Sequence, residues 1–269
     1  MTIKNITKQI KDRIGKKRPE TLIILGSGLG SLADNIKNPI IIPYSEIKDF
    51  PTVSVQGHKS QLICGTLNGT EVICMQGRFH LYEGHAPQFI NTIIKSFQLL
   101  GIKNLIVTNA AGSLKKNMPA GSIMLITDHI NFSGTNPLIG PNNDTFGPRF
   151  PDMSNAYHQT FQKRFEKIAK ANKVDIKKGT YIMVTGPNFE TAAEIKAFTI
   201  LGADAVGMST VPEVICAVHS GIKVLGISVI TNLGTGLTKT AHDHNAVLTQ
   251  GKIATKNLTK LVTEFVKDI

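Results

Sequence analysis

Leu22-Ile23-Ile24-Leu25-Gly26-Ser27-Gly28-Leu29-Gly30-Ser31 runs from four apolar residues straight into a turn of alternating glycines. A short apolar run bounded by glycine signals a buried strand, and Pro19 marks its start. A glycine-rich turn directly after such a strand cradles phosphate with backbone N–H groups. The dinucleotide fingerprint requires G-x-G-x-x-G, but position 31 is serine. Glu46 lies about twenty residues on, where a ribose-binding acid would fall, yet it follows Pro43 instead of ending a clean strand. The stretch therefore reads as a phosphate turn with Ser27 as an extra donor; a plain tight turn is the bland alternative.

The same pattern recurs along the chain. Apolar runs over 61–64, 72–75, 105–108, 123–127, 178–184, 203–208 and 224–230 read as strands. Between them, 87–100 has apolar residues at 90, 93, 94, 97 and 100, a helix period, and Gly101 stops it. Further helices are expected over 157–171, from the 185–191 segment to 201, from Ser209-Thr210-Val211-Pro212-Glu213 onward, and after His244 to about Asp268. Strands alternating with helices define an α/β fold. The length, 269 residues, fits one large α/β domain or two small ones.

Composition narrows the function. Hydrophobic residues make up 41% and charged residues 18%, enough apolar material for a sizeable core. The net charge of +11 suits an anionic ligand or, loosely, a nucleic acid. Much of the excess is N-terminal, where Ile3, Ile6, Ile10 and Ile14 recur at helical spacing among Lys4, Lys8, Lys11 and Arg13. That pattern is an amphipathic helix with a solvated basic face, and no aromatics interleave to stack on bases. Nucleic acid is therefore not expected as a partner. Cys64, Cys74 and Cys216 form an odd set without metal spacing, and Cys64 and Cys74, in apolar strand-like runs, are expected as buried thiols. No charged-then-apolar leader and no apolar run of membrane length is present. A cytoplasmic protein, off the membrane and without a metal, is expected.

Chemistry gathers at the strand ends. In Gln76-Gly77-Arg78-Phe79-His80-Leu81-Tyr82-Glu83-Gly84-His85, an arginine, a histidine and a tyrosine alternate. On an extended chain they share one face. An Arg fork grips phosphate oxygens bidentately, and a neighbouring His adds a donor. Read blandly, this is a polar surface loop. Asn109-Ala110-Ala111-Gly112-Ser113 offers small residues at a strand's C-terminal end, where ligands of α/β sheets bind. Phe189 supplies a flat face and Glu190 a carboxylate, although Glu190 equally suits a helix N-terminus. Asn232 ends the last strand, where a turn-forming Asn is the plain reading. His58 beside Gly57 is an ordinary turn residue when taken alone, and His242 and His244 flank a candidate cap at Asp243. The long 128–153 segment, with Phe132, Phe146 and Phe150, is expected as a packed functional loop.

Together these motifs resemble the trimeric purine nucleoside phosphorylases, the inosine–guanosine–xanthosine class. The resemblance runs from Gly26-Ser27-Gly28-Leu29-Gly30 through Met75-Gln76-Gly77-Arg78-Phe79-His80-Leu81-Tyr82-Glu83-Gly84 and Thr108-Asn109-Ala110-Ala111-Gly112. It continues through Gly186-Pro187-Asn188-Phe189-Glu190-Thr191 and Gly202-Ala203-Asp204-Ala205-Val206-Gly207-Met208-Ser209-Thr210-Val211-Pro212-Glu213-Val214 to His244. It implies one phosphorylase domain over 1–269, with a central mixed sheet flanked by helices, working without a cofactor and with inorganic phosphate as co-substrate. By resemblance, phosphate is held by Ser27, His58, Arg78, His80, Ala110 and Ser209. The ribose falls to Tyr82, Met208, His244 and Phe150, and the purine to Phe189, Glu190, Val206 and Asn232. His80, Glu190 and Asn232 would carry the chemistry, and Phe150, in Arg149-Phe150-Pro151, would reach into a neighbouring site of a homotrimer. The sequence departs from the pattern at Ser60, where Gly is usual, and at Asn188, where Ser is common. The variable 233–243 segment leaves His242 as an alternative to His244. Methylthioadenosine phosphorylase, of the same fold, is the rival activity, and it typically places Asp where Asn232 stands. A nucleoside hydrolase would need an N-terminal acidic metal cluster, and a basic RNA-binding module would show no phosphorolysis.

Overall fold

A computed structural model describes residues 2–51, 59–237 and 244–269, and within the last helix excludes the side chains of 244–248, 250–253 and 268. The opening strand, β1 (Thr21–Ile24), lies inside a mixed sheet. Its alternate side chains divide between the two faces, as strand geometry requires. Leu22 and Ile24 join a core with Ile73, Met75, Ile10, Ile94 and Phe97. Ile23 and Leu25 join another with Val72, Cys74, Phe165, Leu258 and Phe265. Each such buried side chain contributes about 1.5–3 kcal/mol.

On one side of β1 run β2 (Lys37–Pro43), β3 (Gln61–Leu67) and β4 (Thr70–Gln76). The meander β2–β3–β4 is antiparallel and β4 is parallel to β1. On the other side comes β5 (Asn104–Ser113), parallel to β1 with Ile24 opposite Val107. Beyond it, β6 (Ile123–Asn131), β7 (Ile176–Met183), β8 (Ala205–Gly207) and β9 (Lys223–Leu233) complete nine strands in the order β2-β3-β4-β1-β5-β8-β7-β6-β9. Because β9 also pairs with β5, the last five strands close into a ring. The shift in β5–β9 register after Ala111 bends β5 so that Gly112 and Ser113 also pair with Val206 and Ala205 of β8. A bulge of this kind turns a strand at a barrel corner.

Helices α1 (Ile3–Ile14), α2 (Pro87–Leu100) and α5 (Val211–His219) pack together on one face of the sheet, while α3 (Gln159–Ala171) and α6 (His244–Phe265) pack on the other. The N-terminal helix follows its sequence reading: Thr2 caps it, Ile6, Ile10 and Ile14 are buried, and its basic residues face outward. All three cysteines are buried and free. No helix among the described residues is long and apolar enough to cross a membrane.

Four expectations shift. The 185–191 segment is not helical: α4 (Ala192–Ile200) begins after Thr191, whose hydroxyl accepts from the Glu194 N–H while the Glu194 carboxylate accepts from the Thr191 N–H. Such a reciprocal cap outcompetes helix further upstream. The last strand extends through Asn232 to Leu233, because β5 continues beside it, so Asn232 is a strand residue and not a turn. Strand β6 continues to Asn131, shortening the expected loop. The 157–171 helix begins at Gln159, after a buried Tyr157.

The rest of that loop packs as expected for Phe146, which lies under Lys95 Nζ at 5.1 Å and whose carbonyl accepts from Gln98. Phe132 and Phe150 differ, being 53% and 87% exposed.

Candidate active site

Strand ends from across the sheet converge on one cavity of about 370 Å³. Gly26 and Ser27 arrive from β1, Arg78, His80 and Tyr82 from beyond β4, and Asn109, Ala110, Ala111 and Gly112 from β5. The 187–190 loop brings Phe189 and Glu190, β8 and its continuation bring Val206, Gly207, Met208 and Ser209, and β9 brings Thr231 and Asn232. Every described side chain assigned by resemblance therefore lines this space except Phe150, which stands away from it. His58 and His242 lie outside the described residues, as does the side chain of His244.

The glycine turn sits tightly on its neighbours. The Gly26 N–H donates to Thr108 Oγ1 at 3.2 Å, and a Cβ on Gly26 would lie 2.6 Å from Asn109 Cα. Only glycine lets β1 approach β5 so closely. Gln76 Nε2 holds the turn from the β4 side by donating to the Gly30 carbonyl at 2.8 Å.

Arg78, 1% exposed, lines the cavity but does not present the open fork expected from the sequence. Its Nε and Nη2 both donate to Glu213 Oε1, at 3.1 and 2.9 Å. Its Nη1 donates to the Thr108 carbonyl at 2.8 Å and to Ser209 Oγ at 3.1 Å. A buried guanidinium needs a counter-charge, and Glu213 takes the bidentate edge that a phosphate would otherwise use.

His80 is set from both sides. Glu83 Oε1 accepts from the His80 N–H at 3.0 Å and lies 3.1 Å from Nδ1. An ionised carboxylate only accepts, so it places the proton on Nδ1 and makes Nε2 the acceptor nitrogen of the neutral ring. Burial lowers the His80 pKa, against the raising effect of the Glu83 bond. The expected extra donor is, at neutral pH, an imidazole oriented by Glu83. Tyr82 stacks on it at 4.7 Å and 14°, its own pKa pushed up to about 12 by burial and the Glu83 charge.

Burial raises the Glu190 pKa, its own backbone N–H opposes, and the Glu194 charge adds. Asn232 Oδ1 accepts from Thr231 Oγ1 at 3.0 Å and its Nδ2 donates to the Leu233 carbonyl at 3.2 Å, while Gly112 leaves room beside it. Val206 and Met208 supply apolar walls, and a Cβ on Gly186 would lie 2.3 Å from Met208 Sδ. Among the described residues, no three His, Cys, Asp or Glu gather as a metal site.

Sequence reasoning assigned no role to Asn109, Thr210 or Glu213. Asn109 is 1% exposed and lines the cavity, and the other two stand behind its wall. A carboxylate inside the apolar Val211-Pro212-Glu213-Val214-Ile215 run was the available signal, since such a residue is buried only with a partner.

The α/β frame thus gathers a glycine turn, an arginine, a histidine, a carboxylate and an amide around one cavity. The family model described as Phosphorylase superfamily matches residues 20–267. The chain is 50% identical to purine nucleoside phosphorylase 1 of Bacillus subtilis over 92% of each chain. It is 46% identical to the mouse (Mus musculus) purine nucleoside phosphorylase, over 94% of this chain and 90% of that one. The crystal structure of Schistosoma mansoni purine nucleoside phosphorylase with inosine superposes with TM-score 0.94 at 38% identity, covering 99% of this chain and 96% of the other. The same enzyme with adenosine gives TM-score 0.94 at 39% identity, with the same coverage. The chain belongs to the phosphorylase superfamily and, within it, to the purine nucleoside phosphorylases.

Proposed function

We propose that the protein phosphorolyses 6-oxopurine ribo- and deoxyribonucleosides, inosine and guanosine first and xanthosine as a further candidate, to the free base and ribose 1-phosphate or deoxyribose 1-phosphate, in purine salvage. The observation that carries this reading is one cavity whose lining combines Ser27, Arg78, His80 and Ser209, groups suited to an anion, with Glu190 and Asn232, groups suited to a base edge. Phosphate bound by the first set attacks C1′ as the bond to N9 breaks. The sugar becomes cationic and the phosphate dianion stabilises it, while the purine becomes anionic. Asn232 donates to the N7/O6 edge, a preorganised donor for the growing charge, and Glu190 accepts from N1–H. Met208 and Tyr82 flank the ribose. Methylthioadenosine phosphorylase is not favoured by the relatives and is disfavoured by Asn at position 232. Incubating inosine with and without phosphate is the direct test: cleavage should require phosphate and release hypoxanthine. Equal cleavage without phosphate would make the protein a hydrolase.

Glu190 sets a pH limit. Its carboxylate exists above a raised pKa and is lost as pH falls through it. The acid limb of kcat/KM for inosine should therefore lie above the ordinary Glu range, near 4.3. In Glu190→Gln that limb should vanish along with most of the activity. A limb that persists in this variant belongs to another group.

A homotrimer, acting in the cytoplasm, completes the reading. Phe150 is 87% exposed, Ile139 58% and Ile200 76%, apolar surface of the kind a second copy covers. With Phe150 completing a neighbour's ribose pocket, mixing Glu190→Ala and Phe150→Ala subunits should restore part of the activity through hybrid oligomers. No restoration in oligomers shown to exchange would confine Phe150 to its own subunit or remove it from catalysis.

A further inference from the structure

Behind the anion wall, Ser209-Thr210-Val211-Pro212-Glu213 forms an unusual junction between β8 and α5. Thr210 has φ 77° and ψ −51°, a left-handed conformation rare for a β-branched residue. The Val211 N–H donates back to the Ser209 carbonyl at 2.9 Å, closing a γ-turn of the strained type. Strain of this kind persists only where the surroundings over-determine it, and it gathers at functional sites. Here it delivers a fully buried hydroxyl to a hub. Thr210 Oγ1 accepts from Asn109 Nδ2 at 2.8 Å and from Arg78 Nη1 at 3.3 Å, and it lies 3.3 Å from Ser209 Oγ.

One helical turn on, Glu213 is 5% exposed and takes two N–H groups of Arg78 on one oxygen. A guanidinium has five N–H donors. Two go to Glu213, and the two on Nη1 serve Thr108, Ser209 and Thr210. Among the described residues, one N–H, on Nη2, has no acceptor.

We infer that Thr210 and Glu213 are positioning residues for Arg78: they commit its fork to the protein and hold a single Nη2 N–H for the oxyanion in the cavity. This rests on the reading above, that this wall binds phosphate. The Glu213 charge offsets that of Arg78, so the anion meets oriented dipoles instead of an uncompensated cation. It is gripped by direction more than by charge and remains able to react.

The test compares four variants: Glu213→Ala, Glu213→Gln, Thr210→Ala and Thr210→Ser. In Glu213→Ala the phosphate KM should rise at least tenfold, while the inosine KM stays within twofold. Glu213→Gln keeps an acceptor for both N–H groups and should bring the phosphate KM back to within threefold of wild type. Thr210→Ala should raise the phosphate KM at least threefold and Thr210→Ser should restore it. If Glu213→Ala does not fold, the Thr210 pair decides. An unchanged phosphate KM in folded Glu213→Ala or Thr210→Ala overturns the inference, as does a fall in kcat alone or a Gln variant as impaired as Ala. Thermal protection by inorganic phosphate, measured on the same proteins without nucleoside, separates the two claims. If wild type is protected but does not cleave inosine, the function fails, and the ranking of the variants' protection still judges the positioning role.

Discussion

Arg78→Met should abolish phosphate-dependent turnover and leave the protein about 3–5 kcal/mol less stable, because the substitution strands the Glu213 carboxylate in a buried site. Removing one member of a buried ion pair is far worse than removing both. The double variant Arg78→Met/Glu213→Leu should therefore recover most of the stability, while the anion site stays without its guanidinium and activity stays lost. Urea denaturation of the three proteins, with phosphate kinetics on those that fold, checks both halves. Were the single variant as stable as wild type, the pair would not be the buried unit described. Were the double variant active, Arg78 would not serve the anion.

For Asn232→Asp, kcat/KM for inosine should fall at least tenfold, about 1.4 kcal/mol, while that for adenosine falls less or rises. A 6-oxopurine presents acceptors at O6 and N7, which an amide can meet by donating. An ionised carboxylate only accepts, so it repels O6 and attracts a 6-amino group. Adenosine also lacks the N1 hydrogen that Glu190 would accept, and unpaired buried polar groups make such rejection strong. The measurement is kcat/KM for both nucleosides at saturating phosphate. An unchanged inosine-to-adenosine ratio would mean that Asn232 does not read the base.

Much of this architecture was legible in the residues. The strand-then-glycine pattern at 22–31, the 3.6-residue period of 87–100 and the isoleucine stripe of the first helix all report local physics, and each element formed. Arg78, His80 and Tyr82 do line one cavity, but not by alternation along an extended chain: Leu81–Glu83 is a 3-10 turn, which brings Tyr82 over His80. What the residues did not disclose depends on partners distant in sequence. Arg78 and Glu213 lie 135 positions apart, so nothing local shows that the fork is already engaged. Asn232 looked like a turn because its strand partner, Gly112 on β5, is equally remote. Thr210 gives no sequence warning of a positive φ, because glycine is the usual marker and a β-branched residue the least expected carrier.

Ring closure at one end of the sheet leaves β2 as its sole open margin among the described strands. An unpaired strand is a template on which another chain can add itself. Here that margin carries Lys37, Pro39 and Pro43, and its pairing to β3 is broken between Lys37 and Ile40. Proline has no N–H to offer an incoming strand, and an irregular backbone cannot hold a long register. Association by strand addition is thus discouraged at the one place where the described sheet would allow it, which leaves side-chain surfaces for any contact with another chain.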